Sequence, residues 1–156
     1  MRRKEKAITD NKIIEELIKK GRYITISMSK NDVPYIATLS YGYDNAQNAL
    51  YFHCANEGQK IDYIKFNPNI CGTIIEDNGY SEGCTQEYRS LIVRGTIEIV
   101  DNIQEKKHAF DILLSHLEKD SNVMKEKYFK DEEEYDKTGI LRLDITEITG
   151  KEEKEG

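Results

Sequence analysis

The stretch from Tyr88 to Val100 constrains the fold most, because Leu91, Val93, Ile97 and Ile99 fall on one side of an alternating pattern as long as a complete sheet strand. Such a strand belongs in a sheet. Candidates recur along the chain: Ile24, Ile26 and Met28 alternate with Thr25 and Ser27, and Tyr35 to Tyr43 is rich in aromatic and β-branched residues. Leu50 to Ala55 follows a turn-like Asp44 to Asn48, Ile70 to Ile75 comes next, and Ile140 to Ile148 closes the series with Leu141, Leu143 and Ile145 inward. Asp77 to Gly83 reads as a loop.

Helical spacing appears between these runs. Asp10 to about Lys20 places Ile13, Ile14, Leu17 and Ile18 on one face, with Asp10 as cap and Gly21 as stop. A capping box from Asn56 to Gln59 opens a second helix that must end by Asn67, since Pro68 follows. Asn102 and Glu105 form a second box ahead of Ile103, Phe110, Leu113, Leu114 and Leu117. Residues 121–137 are highly charged, with Tyr128, Phe129 and Tyr135 as the large apolar handles, and a mobile helix or loop is expected there. The strands arrive in meander order with helices inserted, without a regular strand-helix rhythm. The expected fold is therefore mainly β, a six-stranded antiparallel barrel with flanking helices, forming a single domain over residues 1–150. A charged, disordered tail, KEEKEG, follows at 151–156.

At 156 residues the chain can bury one core without disulfide or metal staples. A net charge of -6 argues against a nucleic-acid surface, which needs clustered Lys and Arg. The opening MRRKEKAITDNK is basic but has no apolar run behind it, so neither a secretion signal nor a membrane anchor is expected. Cys54, Cys71 and Cys84 are an odd set without C-x-x-C spacing, which fits reduced thiols and a cytoplasmic location. His108 and His116 lie two turns apart with no third ligand beside them, so no metal site is expected. No G-x-S-x-G elbow or Ser-His-Asp order is present, and paired carboxylates occur only in solvated charge runs such as Asp131 to Glu134.

The stretch Leu50 to Lys60 carries the strongest chemical signal. A strand stops at a small-residue turn and opens a helix with Lys60 in its first turn. Unpaired N–H groups and the positive dipole end make such a start an anion site, and Lys60 adds a full charge. An ordinary capped helix with a solvent-facing lysine accounts for the same residues. His53 faces opposite Phe52 and Cys54, and a lone strand histidine is either structural or a near-neutral proton donor. Tyr41 and Tyr43 could stack on a ring or fill a seam between subunits.

The chain resembles the pyridoxamine 5′-phosphate oxidase-like flavin proteins, within them the nitroimidazole-resistance and general-stress type. The resemblance rests on Pro34 to Tyr43, Leu50 to Ala55 with Glu57-Gly58-Gln59-Lys60, Asn67-Pro68, Tyr88 to Gly95 and Ile145 to Gly150, in the family's order. It implies a split β-barrel homodimer with two FMN sites between subunits, acting on a small-molecule substrate by flavin oxidoreductase chemistry. It further implies that Thr38, Leu39, Ser40 and Tyr41 lie along the flavin ring through backbone groups. His53, Cys54 and Ala55, with Gly58, Gln59 and Lys60, would hold the ribityl phosphate. Ser90 would stand near the flavin, and His53 matches a histidine near the flavin in the nitroimidazole-resistance branch, making it the candidate catalytic residue. Gln59 and Lys60 stand where the oxidase proper has adjacent arginine and lysine. A match to its C-terminal arginine and histidine is missing, so vitamin oxidase activity is not expected. A flavin- or haem-binding module without turnover is the competing reading, with FAD or haem as alternatives to FMN.

Overall fold

The computed structural model describes residues 3–154. Eight strands and five helices follow a short 3₁₀ turn at Lys4–Lys6. The strands are β1 (Ala7–Ile8), β2 (Tyr23–Lys30), β3 (Val33–Ser40), β4 (Gly42–Asp44), β5 (Ala49–Cys54), β6 (Asn69–Ser81), β7 (Thr85–Val100) and β8 (Gly139–Glu153). The helices are α1 (Asn11–Lys20), α2 (Gln59–Phe66), α3 (Ile103–Leu117), α4 (Ser121–Tyr128) and α5 (Glu132–Lys137). None of the described helices is long and apolar enough to cross a membrane.

All strands join one antiparallel sheet in the order β3-β2-β6-β7-β8-β5-β4, with β1 paired to β8. The two ends of this path, β3 and β4, are separated in sequence by Tyr41 alone. The sheet must therefore curl until its ends meet, yet no ladder pairs β3 with β4 or β5 among the described residues. The result is a barrel closed by the covalent chain and left split between its hydrogen-bonded edges. The six expected strands are present, β1 is added, and β4 is the part of the expected 35–43 strand that lies beyond Tyr41.

Inward positions of the alternating strands form the main core. Ile24, Ile26 and Met28 meet Leu50, Phe52, Leu91, Val93, Ile97, Leu141 and Leu143, and the ends are covered by Leu17 and Ile18 of α1 and Ile61 and Ile64 of α2. A second core lies behind β5, where Tyr51 and Ile140 pack against Ala109, Phe110 and Leu113 of α3. Phe129 and Tyr135 join it, their rings 4.1 Å and 5.5 Å from Phe110. At the centre of the sheet the β7–β8 register shifts between Arg94 and Gly95, leaving Thr146 as the extra residue of a bulge. A Cβ at Gly95 would run into the Asp144 carbonyl.

Several expectations are corrected. The strand expected over 35–43 breaks at Tyr41, whose ring is drawn wholly inside to donate from its hydroxyl to the Ile18 carbonyl at 2.6 Å. Gly42 beyond it lies against the α3 backbone, where a Cβ would stand 2.7 Å from Leu113. The loop expected at Asp77–Gly83 is mostly strand: β6 continues to Ser81 because Gln86 across the hairpin satisfies Asp77 Oδ1 at 2.7 Å and the Gly79 carbonyl at 2.8 Å. The tail belongs to β8 through Glu153, paired with Tyr88, and its last two residues, 155–156, lie outside the described residues. The charged segment 121–137 forms two short helices, capped by Asp120 and Asp131.

Candidate functional site

The turn between β5 and α2 differs from the capping box expected there. Asn56 does not cap; its side chain donates to the Lys137 carbonyl at 3.1 Å, and Gly139 fits against Cys54, Ala55 and Asn56. The N-cap is Gly58, at φ 130°, which caps without a side-chain hydrogen bond. That backbone conformation suits glycine alone, and nothing lies within 4 Å of the place where a Cβ would be. The first N–H groups of α2 thus have no side-chain cap accepting from them. Such a start has a positive dipole end and unused donors.

Lys60 is half-buried in that first turn, whereas Ala55, Gly58 and Gln59 are exposed. Burial pushes the Cys54 thiol up from its ordinary value, and the nearby Lys60 ammonium pulls it the other way. Lys60 therefore lies near Cys54, which packs on the core side of β5. His53 points to the other side, exposed, at the mouth of a cleft floored by Phe110, Leu113, Leu114 and Leu117 of α3.

The remaining expected residues fall elsewhere. Thr38 and Ser40 project from the outer sheet face, the Thr38 hydroxyl 2.9 Å from that of Thr25, while Leu39 packs inward on the core. Ser90 lies on the same outer face, in a shallow recess with Thr73, Ile75, Asp77, Gln86 and Tyr88, but β2 and β6 separate its strand from β3. The Tyr41 ring is fully buried and its amide donates to the Arg22 carbonyl at 3.2 Å, so it neither stacks on a ligand nor fills a seam. Tyr43 is half-buried against the core, its hydroxyl donating to Asn45 at 3.0 Å. One chain brings the start of α2 together with Cys54 and Lys60; it leaves Ser90 on a different face.

The other histidines have structural partners. His108 Nε2 lies 2.6 Å from Asp44 Oδ2, and His116 donates from Nε2 to the Gly21 carbonyl at 2.6 Å. No cluster of His, Cys, Asp and Glu suited to a metal occurs among the described residues. Sequence reasoning missed how the charged segment serves the site. The end of α5 anchors the Asn56 turn and Thr138 borders the His53 cleft. The signal was Phe129 and Tyr135, two of the three aromatic residues in a highly charged run, which gain by burial.

The profile of the family described as pyridoxamine 5′-phosphate oxidase matches residues 10–152. Among solved structures, a candidate 5-nitroimidazole antibiotic resistance protein from Bacteroides thetaiotaomicron is similar at 26% identity and a TM-score of 0.78, over 93% of this chain and 85% of that one. The FAD and heme binding protein from Mycobacterium smegmatis superposes with a TM-score of 0.81 at 16% identity, over 96% and 74%. A FAD-binding protein from Mesorhizobium loti gives 0.67 at 19% identity, over 95% and 97%. No curated protein matches the chain.

Proposed function

This chain belongs to the pyridoxamine 5′-phosphate oxidase family, and on that premise we propose that it is an FMN-binding flavoprotein that reduces or oxidises a small organic molecule. The observation that carries the reading is the opening of α2: a glycine N-cap without a side-chain cap, free space before it, and Lys60 in the first turn. A phosphate dianion suits those donors and that charge. Bound there, a flavin supplies hydride and single-electron chemistry.

In this reading the backbone of β3 from Thr38 to Ser40 lines the ring, and Ser90 comes from a second copy of the chain. The separation of Ser90 from α2 within one chain supports a shared site. So does the outer sheet face, where Tyr23, Ile36 and Ile75 are 58%, 64% and 57% exposed. Pairing of Tyr23 with Ser40, Ser27 with Ile36 and Ile75 with Ser90 places all of these side chains on the same face. His53 donates a proton or hydrogen bond to the organic substrate. A nitroaromatic substrate class follows from the likeness to the Bacteroides protein.

The test is the visible spectrum and released cofactor of the purified protein, followed by consumption of reduced nicotinamide with a panel of nitroaromatics and quinones. The expected results are bound FMN and turnover that falls in His53→Phe while flavin binding persists. Release of FAD or haem would replace the cofactor. Bound flavin with no turnover on any acceptor would favour a binding module, and a protein that takes up no flavin would overturn the proposal.

A further inference from the structure

The turn that opens α2 has little of its own to hold it. Asn56, Glu57 and Gly58 are exposed, Gly58 caps without a side-chain hydrogen bond, and glycine has the freest backbone of any residue. A turn of this kind loses part of its affinity for an anion to the ordering of its own donors, unless the fold orders them beforehand. The tie that can do so runs to α5: the Asn56 amide donates to the Lys137 carbonyl at 3.1 Å. Gly139 completes the contact. It pairs with Cys54 and lies so close to the turn that a Cβ there would stand 2.9 Å from the Cys54 carbonyl and from Asn56 Oδ1.

The end of α5 is held in its turn by a buried cation. Lys106 of α3 is 7% exposed, and its ammonium donates to the Tyr135 carbonyl at 3.4 Å and to the Thr138 carbonyl at 3.3 Å. No carboxylate pairs with it among the described residues. An ammonium is costly to bury, and attaching α5 to α3 does not require one. The Tyr135 ring already packs on Phe110, and Lys107 pairs with Glu132 at 2.7 Å. What Lys106 adds is orientation: it takes carbonyls on both sides of Lys137 in the chain, and the Lys137 carbonyl is the one that meets Asn56.

We propose that Lys106 and Asn56 are positioning residues for the flavin phosphate: Lys106 fixes the end of α5, Asn56 passes that placement to the turn, and the first N–H groups of α2 are held with Lys60 in the arrangement that receives the anion. The inference rests on the reading of this turn as a phosphate site. Neither side chain touches the ligand.

The test compares the full chain with Asn56→Ala, at an exposed position, and with Lys106→Met, which keeps the length of the side chain and removes its donors. Each is titrated with FMN and with riboflavin by flavin fluorescence quenching, and urea midpoints are measured alongside. Each variant should weaken FMN by about three- to tenfold, the scale of one net hydrogen bond, and leave riboflavin unchanged. The phosphorus resonance of bound FMN should move toward that of the free cofactor. The double variant should lose little more than the stronger single one, because both side chains act through one contact. Should Lys106→Met fail to fold, Asn56→Ala decides the matter alone. A lower urea midpoint with the preference for FMN over riboflavin intact would overturn the proposal, as would additive losses in the double variant. A native protein that holds riboflavin as tightly as FMN would instead overturn the phosphate reading itself, so the two failures are told apart.

Discussion

At the scale of single residues, polar side chains here serve partners that are distant in sequence. Asn56 reaches the Lys137 carbonyl, and Tyr41 turns in to reach Ile18. Glu105 shows the same competition. The Asn102 side chain accepts from the Glu105 amide at 3.0 Å as a cap should, but the Glu105 carboxylate, expected to bond back to Asn102, takes Arg142 at 2.9 Å and the Tyr51 hydroxyl at 3.3 Å. A charged guanidinium is a stronger donor than a neutral amide, so the tertiary partner wins. Among the described residues Lys60 has no such competing partner, which makes its substitution informative. Lys60→Ala should weaken FMN by about 1.5–3 kcal/mol, the range for a hydrogen bond to a charged group, with Lys60→Arg better tolerated. Riboflavin, which lacks the phosphate, should be nearly indifferent. Fluorescence quenching of both ligands by the three proteins measures this, and an equal loss for riboflavin would assign Lys60 to folding or ring contacts instead.

Elements are joined by a small number of charged clasps on the barrel rim. Glu76 of β6 accepts from Lys20 of α1 at 3.0 Å and from Arg89 of β7 at 2.6 Å, and Arg89 also lies 3.6 Å from Glu16 of α1. Burial acts to raise the Glu76 carboxyl, but the hydrogen bonds and charges of Lys20 and Arg89 outweigh it and hold the group below its ordinary value of 4.5. A depressed carboxyl stabilises the folded state above its unfolded value and loses that contribution as pH falls through the folded one. Urea midpoints measured from pH 6 down to about pH 3 should therefore fall more steeply for the native sequence than for Glu76→Gln. Parallel slopes would remove Glu76 from the acid response. At the same scale, the charged segment 121–137 becomes α4 and α5 because Asp120 and Asp131 cap them and Phe129 and Tyr135 anchor on Phe110. Local propensity supplied the helices and α3 supplied their location.

For the whole molecule, the distribution of apolar surface matters more than its amount. In the stretch 35–43 aromatic rings turn inward while Ile36 stays outside: Tyr35 packs on Tyr63 with ring centroids 5.3 Å apart, and Tyr41 is buried. Among the exposed apolar residues, Tyr23, Ile36 and Ile75 lie together on the outer sheet face and are the group that suits an interface. Substituting Ile75→Lys would put an uncompensated charge at the centre of that face. Under the proposed shared site, the expected result by light scattering is a shift from dimer to monomer, with FMN affinity lost in parallel. A native chain that is monomeric yet binds FMN at full stoichiometry would sink the shared-site arrangement.

What the sequence determined by itself is what depends on near neighbours along the chain. Alternation in β2, β5, β7 and β8 fixed which side chains face the core, Asp10 and Gly21 bounded α1, and Pro68 ended α2 by Asn67. The ordered motifs were enough to indicate the family, because they span nearly the whole chain. Only the tertiary structure decided where a side chain could choose between a local and a distant partner, as with Asn56, Tyr41 and Gln86. It also decided that Ser90 lies on the outer sheet face and that α3, α4 and the strand bearing His53 enclose a cleft. The physical reason is that period and capping are short-range signals, whereas the placement of a face depends on strand register and on chain closure between β3 and β4, which involve residues far apart in sequence.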